Sequence, residues 1–118
     1  MNLPECLEIK PSAVDGLGVF AKSFIKENTI LGTYTGIRYS LKEFKDKYGT
    51  DLRYCYWARR ANYVICSKEE RNFITFINES ETPNCILKSL TLKTLKDIEI
   101  GQELFLKYPK PYPRKNLS

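Results

Sequence analysis

The chain has 118 residues, 42% hydrophobic and 28% charged, with a formal net charge of +5 and no histidine. This is the size of one domain whose core can fold alone, and without histidine the chain has no Ser–His or Cys–His nucleophile pair. No apolar run approaches the ~20 residues of a membrane span, and Met1-Asn2-Leu3-Pro4-Glu5 lacks the basic-then-apolar order of a signal peptide, so an intracellular protein is expected.

Leu7-Glu8-Ile9-Lys10 alternates apolar and polar and predicts a short strand. Pro11 to Gly18 is a loop of turn formers, and Val19-Phe20-Ala21 begins a second strand. After a turn over 25–29, Ile30 to Tyr34 is a third strand, stopped by Gly36. Leu41, Phe44 and Tyr48 then fall at helical spacing, with Ser40 as N-cap, Glu43 completing a capping box and Gly49 ending the helix. From Tyr54 the chain turns aromatic and strand-like through Tyr56, Trp57 and Tyr63-Val64-Ile65-Cys66. A helical turn is expected over 67–72, leading into a strand-like run, Phe73 to Ile77. Asn78 and Asn84 bracket a loop, Cys85 to Leu95 alternates as one strand, and Glu103 to Tyr108 forms the last strand after a turn at Gly101. Three prolines keep the tail from Pro109 out of any sheet interior. Short strands, frequent turns and one helix make the expected fold a mostly β, β-rich α+β domain without repeats or linkers.

Lysine and arginine are dispersed, densest at Lys107, Lys110, Arg114 and Lys115. This reads as a solvated basic surface whose attraction to nucleic acid is at most weak. Arg59-Arg60 reads the same way. Cys6, Cys55, Cys66 and Cys85 include no C-x-x-C pair and have no histidine to join them. No metal is therefore expected, and buried thiols are expected rather than disulfides. There is no phosphate-binding G-x-x-x-x-G-K loop.

Three blocks carry the chemistry. Gly16-Leu17-Gly18 precedes a strand, where glycines allow φ > 0 or close approach to a ligand; it lacks the third glycine and following helix of a dinucleotide fingerprint. Phe76-Ile77-Asn78-Glu79-Ser80-Glu81-Thr82-Pro83-Asn84 puts two asparagines, a serine and a proline between strand-like runs. Loop asparagines commonly satisfy backbone groups, so this block reads either as turn structure or as a site. Ile100-Gly101-Gln102-Glu103-Leu104-Phe105-Leu106-Lys107-Tyr108 is a turn glycine, a strand and a terminal tyrosine. Tyr34, before Gly36, and Tyr54 are open between aromatic packing and a functional role.

In order and spacing these blocks resemble the SET domain of protein lysine methyltransferases, from about Leu7 to Tyr108. The middle block is similar to that family's R-F-I-N-H-S-C-x-P-N, matching at Phe76, Ile77, Asn78, Ser80, Pro83 and Asn84, with Asn72 matching the asparagine of an upstream G-N pair. Thr75 stands where arginine is usual, Arg71 where glycine is usual, Glu81 where cysteine is usual, and Glu79 where histidine is usual. The resemblance implies a SET fold of several short sheets, one short helix and a knot-like threading of the C-terminal strand, as a single domain over 1–118 like the minimal stand-alone forms of viruses and bacteria. It implies S-adenosylmethionine as cofactor, bound by Gly16, Leu17, Gly18, Tyr54, Asn78, Glu79 and Tyr108, with Tyr108 catalytic and Tyr34 walling the lysine channel. It implies a lysine-containing protein substrate, with histone or nucleosome among the candidates, and nuclear action if that substrate is chromatin. Closure of the cofactor pocket falls to Tyr112, to a second subunit of a homodimer, or to substrate. The rival reading is an inactive SET-like interaction module, since PR-type domains share the Gly-Leu-Gly-Val and Thr-Tyr-Thr-Gly blocks and usually lack N-H-S.

Overall fold

The structure, a computed structural model, describes residues 2–58 and 60–108. Arg59, the proline-containing tail and the expectations placed on Tyr112, Lys110, Arg114 and Lys115 lie outside the described residues. The elements run β1 (Leu7–Pro11), β2 (Leu17–Ala21), β3 (Ile30–Thr33), β4 (Ile37–Ser40), α1 (Leu41–Tyr48), β5 (Cys55–Ala58), β6 (Tyr63–Cys66), a 3-10 turn (Phe73–Phe76), β7 (Asn78–Glu79), β8 (Cys85–Lys88), β9 (Thr91–Thr94) and β10 (Phe105–Leu106). The mostly β architecture with one α-helix is the expected one.

Strands β1 and β2 form an antiparallel pair with Leu7 opposite Ala21. Two three-stranded antiparallel sheets follow, in the orders β3-β9-β8 and β4-β6-β5, and β7 runs parallel to β10. The parallel pair sets Asn78 beside Phe105 and Glu79 beside Leu106, so the asparagine segment and the C-terminal strand become neighbours. Val19, Ala21, Ile77, Leu92, Ile98 and Leu104 lose all exposure in one core shared by these sheets. A second cluster forms where α1 sets Phe44 on Val64, Cys55 and Cys66 of the β4-β6-β5 sheet. The capping box at Ser40 and Glu43 is present, and the Gly49 amide donates to the Lys45 carbonyl at the other end.

Three local expectations are corrected. Phe73 to Phe76 is a 3-10 turn rather than a strand. The Asn72 side chain accepts from the Ile74 amide at 2.9 Å, and both the Thr75 amide and its hydroxyl return to the Asn72 carbonyl, at 3.0 and 2.7 Å. Phe73, Ile74 and Thr75 are all buried, so no polar face marks the period. Residues 67–72 form bends instead of a helical turn. The Ser67 hydroxyl donates to the Glu70 carbonyl and accepts from the Asn72 amide. Cys85 to Leu95 is a hairpin, not one strand. Its turn places Ser89 at φ 50° and Leu90 at φ 69°, the left-handed pair of a two-residue hairpin loop. No glycine or asparagine announces that turn. The Leu90 carbonyl accepts from the Tyr34 amide at 2.7 Å and its side chain packs on the core, so tertiary contacts support an unfavourable backbone. Strand β4 has no counterpart in the sequence reading, and among the described residues no helix is long and apolar enough to cross a membrane.

Candidate active site

Two segments 91 residues apart meet at the Glu103 carboxylate. The Ser12 hydroxyl lies 2.8 and 3.0 Å from its two oxygens, and Asn78 Nδ2 donates to it at 2.7 Å. The same Asn78 amide reaches the Asp15 carbonyl at 3.1 Å and the Leu17 carbonyl at 3.5 Å. Asn78 therefore ties the glycine loop to the β7–β10 pair. Gly16 sits at φ 45°, which a side chain would strain. Gly18 lies against the carboxylate itself: a Cβ there would be 2.4 Å from Glu103 Oε2 and 2.9 Å from its Cδ. Asn84 completes the join, donating to the Glu103 carbonyl and accepting from the Phe105 amide, both at 2.8 Å.

Side chains of a strand alternate between its faces. Asn78 enters the Glu103 cluster, and its neighbour Glu79 enters a cavity of about 1110 Å³. Tyr34, Tyr54, Tyr56, Trp57, Tyr63 and Tyr108 give that cavity an aromatic lining. The Tyr34 and Tyr56 ring centroids are 5.9 Å apart and inclined at 46°. Tyr54 holds φ 61°, a left-handed conformation for a bulky residue. The Tyr108 hydroxyl donates a hydrogen bond to the Ile77 carbonyl. Burial raises this phenol above its ordinary range, the Glu79 carboxylate raises it further, and the Arg71 guanidinium opposes both. Tyr108 is thus a neutral phenol at physiological pH. Its proton is committed to Ile77, which leaves oxygen lone pairs to accept from a ligand.

Of the eight residues singled out by sequence, Tyr34, Tyr54, Glu79 and Tyr108 line this one cavity, while Gly16, Leu17, Gly18 and Asn78 do not. Gly18 and Asn78 meet at Glu103 instead, Leu17 joins through its carbonyl to Asn78, and the Gly16 carbonyl accepts from the Ser12 amide. Sequence reading missed Ser12 and Glu103, since nothing local announces a contact at that separation. It also missed Arg71, whose guanidinium lies over the Tyr54 and Phe76 rings at 3.6 and 4.0 Å. The one signal for Arg71 was its departure from the family's glycine. Among the described residues no cluster of cysteines or carboxylates could hold a metal.

A family model described as SET domain matches residues 16–109. A putative histone-lysine N-methyltransferase 1 of Plasmodium falciparum (isolate 3D7) is 29% identical over 115 residues, covering 86% of this chain and 2% of that protein. The chain thus spans a small fraction of the length of this curated relative. Among solved structures, the methyltransferase domain of human PR domain-containing protein 2 superposes with a TM-score of 0.67 at 24% identity, over 95% of this chain and 83% of that one. The ctPRC2 complex in an autoinhibited conformation bound to S-adenosylmethionine gives 0.79 at 22% identity, over 92% of this chain and 16% of that one. At these identities the superpositions show a shared fold.

Proposed function

The chain belongs to the SET domain family, and from that premise we propose that it is an S-adenosylmethionine-dependent protein lysine methyltransferase. The observation that carries this reading is Tyr108: a neutral phenol, proton engaged by Ile77, set in an aromatic cavity beside a carboxylate. The cavity fits such a ligand. Pockets for molecules of this size run to about 300–1,000 Å³, and this one has about 1110 Å³ to share between cofactor and a lysine side chain. Its tyrosines and Trp57 offer π-faces to a sulfonium or ammonium, worth roughly 0.5–2 kcal/mol for each well-placed cation. Glu79 adds an opposite charge.

S-Adenosylmethionine, when bound, supplies an electrophilic methyl group on a positively charged sulfur. The residues that would hold it in the cavity are Tyr54, Glu79 and Tyr108. Gly16, Leu17 and Gly18 lie outside this cavity, and any contact they make with the cofactor would be through backbone of the loop that Asn78 braces. Tyr108 orients the attacking amine by accepting a hydrogen bond from it, and Tyr34 walls the channel on the side of Tyr56. Tyr108 is no general base, since its phenol is held above the ordinary range. The lysine must arrive deprotonated, and catalysis is then alignment of two reactants in the aromatic cleft. A histone is the first substrate class to test, given the relative's name, and would place the protein in the nucleus.

Calorimetry with S-adenosylmethionine, followed by methyl transfer to a panel of lysine-containing proteins that includes histones, tests the reading. Binding and transfer to one member of the panel are the expected results. Absence of cofactor binding in the folded protein would overturn it and leave the interaction module.

A further inference from the structure

Arg71 lies between β6 and the 3-10 turn and is half-buried. Nε donates to Thr75 Oγ1 at 2.8 Å and Nη2 reaches the Thr75 carbonyl at 3.5 Å. The guanidinium plane covers two rings, 3.6 Å from the Tyr54 centroid and 4.0 Å from that of Phe76. Among the described residues none of the ion pairs involves Arg71. Burial lowers its pKa, and Tyr54 first, then Tyr34 and Tyr108, act in the opposite direction. Lys68 also approaches the Tyr54 ring, at 5.9 Å, but its ammonium is engaged by Asp51 at 3.3 Å. Tyr54 and Thr75 line the cavity, whereas Arg71 stands behind them.

A tyrosine at φ 61° needs support from its surroundings. A planar guanidinium that stacks on a ring while its fork bonds a neighbouring hydroxyl supplies such support, and a lysine cannot reproduce it. The family motif also places arginine at the Thr75 position. Here the side chain starts four residues earlier, and its guanidinium arrives at the Thr75 hydroxyl.

We infer that Arg71 is a positioning residue that fixes the cavity wall by clamping Tyr54 to Thr75 and Phe76. Its effect on cofactor affinity rests on the methyltransferase reading; its effect on Tyr54 does not. The test is a double-mutant cycle of Arg71→Met and Tyr54→Leu, reading S-adenosylmethionine affinity by calorimetry below the melting temperature of each variant. Arg71→Met is expected to weaken binding about tenfold, and the double variant to bind within about twofold of Tyr54→Leu alone, because coupled residues do not add. Losses that multiply would overturn the inference. Where Arg71→Met does not fold, Arg71→Gln carries the same comparison. A second arm follows the Tyr54 ring by NMR with labelled tyrosine, its signals assigned from Tyr54→Phe. Arg71→Met should shift those signals and speed the ring's flips, and an unchanged ring would overturn the inference even if the protein binds no S-adenosylmethionine. In that last case the methyltransferase reading fails on its own, separately from Arg71.

Discussion

Gly18→Ala tests the join between the glycine loop and the C-terminal strand. The added methyl would stand 2.4 Å from Glu103 Oε2, 2.9 Å from Cδ and 3.2 Å from Ser12 Cβ. Carbon–oxygen contacts settle near about 3.3–3.6 Å, so the carboxylate must retreat by roughly 1 Å. It cannot do so freely. The displacement breaks its 2.7 Å bond from Asn78 or its bonds from Ser12. A hydrogen bond to a charged group contributes about 1.5–3 kcal/mol, and Asn78 keeps its bond to the Asp15 carbonyl, so the net loss is about 2–4 kcal/mol. For a domain of this length that lowers Tm by roughly 8–16 °C. The assay is thermal melting of four proteins: wild type, Gly18→Ala, Glu103→Ala and the double variant. Glu103→Ala removes both the obstacle and the bonds, so Gly18→Ala should add less than about 0.5 kcal/mol in that background. Destabilisations that sum in the double variant would refute the reasoning. The same geometry means that loss of cofactor affinity in a Gly18 variant reports a displaced Glu103 as much as a blocked backbone approach.

Tyr108→Phe keeps the ring and removes the hydroxyl bonded to Ile77. Methyl transfer should fall about 10²–10³-fold with cofactor affinity little changed, and an unchanged rate would show that the hydroxyl does not orient the amine. Wild-type rates should rise with pH up to the ordinary lysine range near ~10, with no loss near neutrality, because the Tyr108 phenol stays protonated throughout. Glu79→Gln should weaken S-adenosylmethionine binding about fivefold by removing the carboxylate from the cavity; equal affinities would mean its charge is spent on solvent. Burial raises Cys55 well above the thiol range and pushes Cys85 up to about 12. Iodoacetamide at pH 7.5 should therefore modify half-exposed Cys6 first and leave Cys55 and Cys85 intact. The same groups set the sign of alkaline stability. Their folded pKa values exceed the unfolded ones, so the unfolded chain releases protons that the folded chain keeps. Stability falls as pH rises through ~8.5–10; a flat denaturant midpoint across that window would contradict the burial assigned to them.

The parts of the fold that were legible in sequence are those fixed by neighbours along the chain. The capping box at Ser40 and Glu43 acts over three residues, and the alternation of β1 and β9 records which face of a strand is buried. The failures fall where a distant partner decides. Phe73, Ile74 and Thr75 are buried in succession and so show no readable period. Leu90 accepts a left-handed backbone because its carbonyl serves Tyr34 and its side chain serves the core. The site divides in the same manner. The asparagine segment was legible as a motif, but a motif carries no information on direction. Strand geometry sends Asn78 to the Glu103 cluster and Glu79 to the aromatic cavity. One shift of register in the β7–β10 pair would exchange them, placing a carboxylate against Glu103 and an amide among the tyrosines. The half-buried carboxylate pair would repel, and the cavity would lose the charge of Glu79. The Asn84 clamp on Glu103 and Phe105 fixes that register, and this gives a loop asparagine that is not among the cavity's lining residues a part in orienting Glu79, which is.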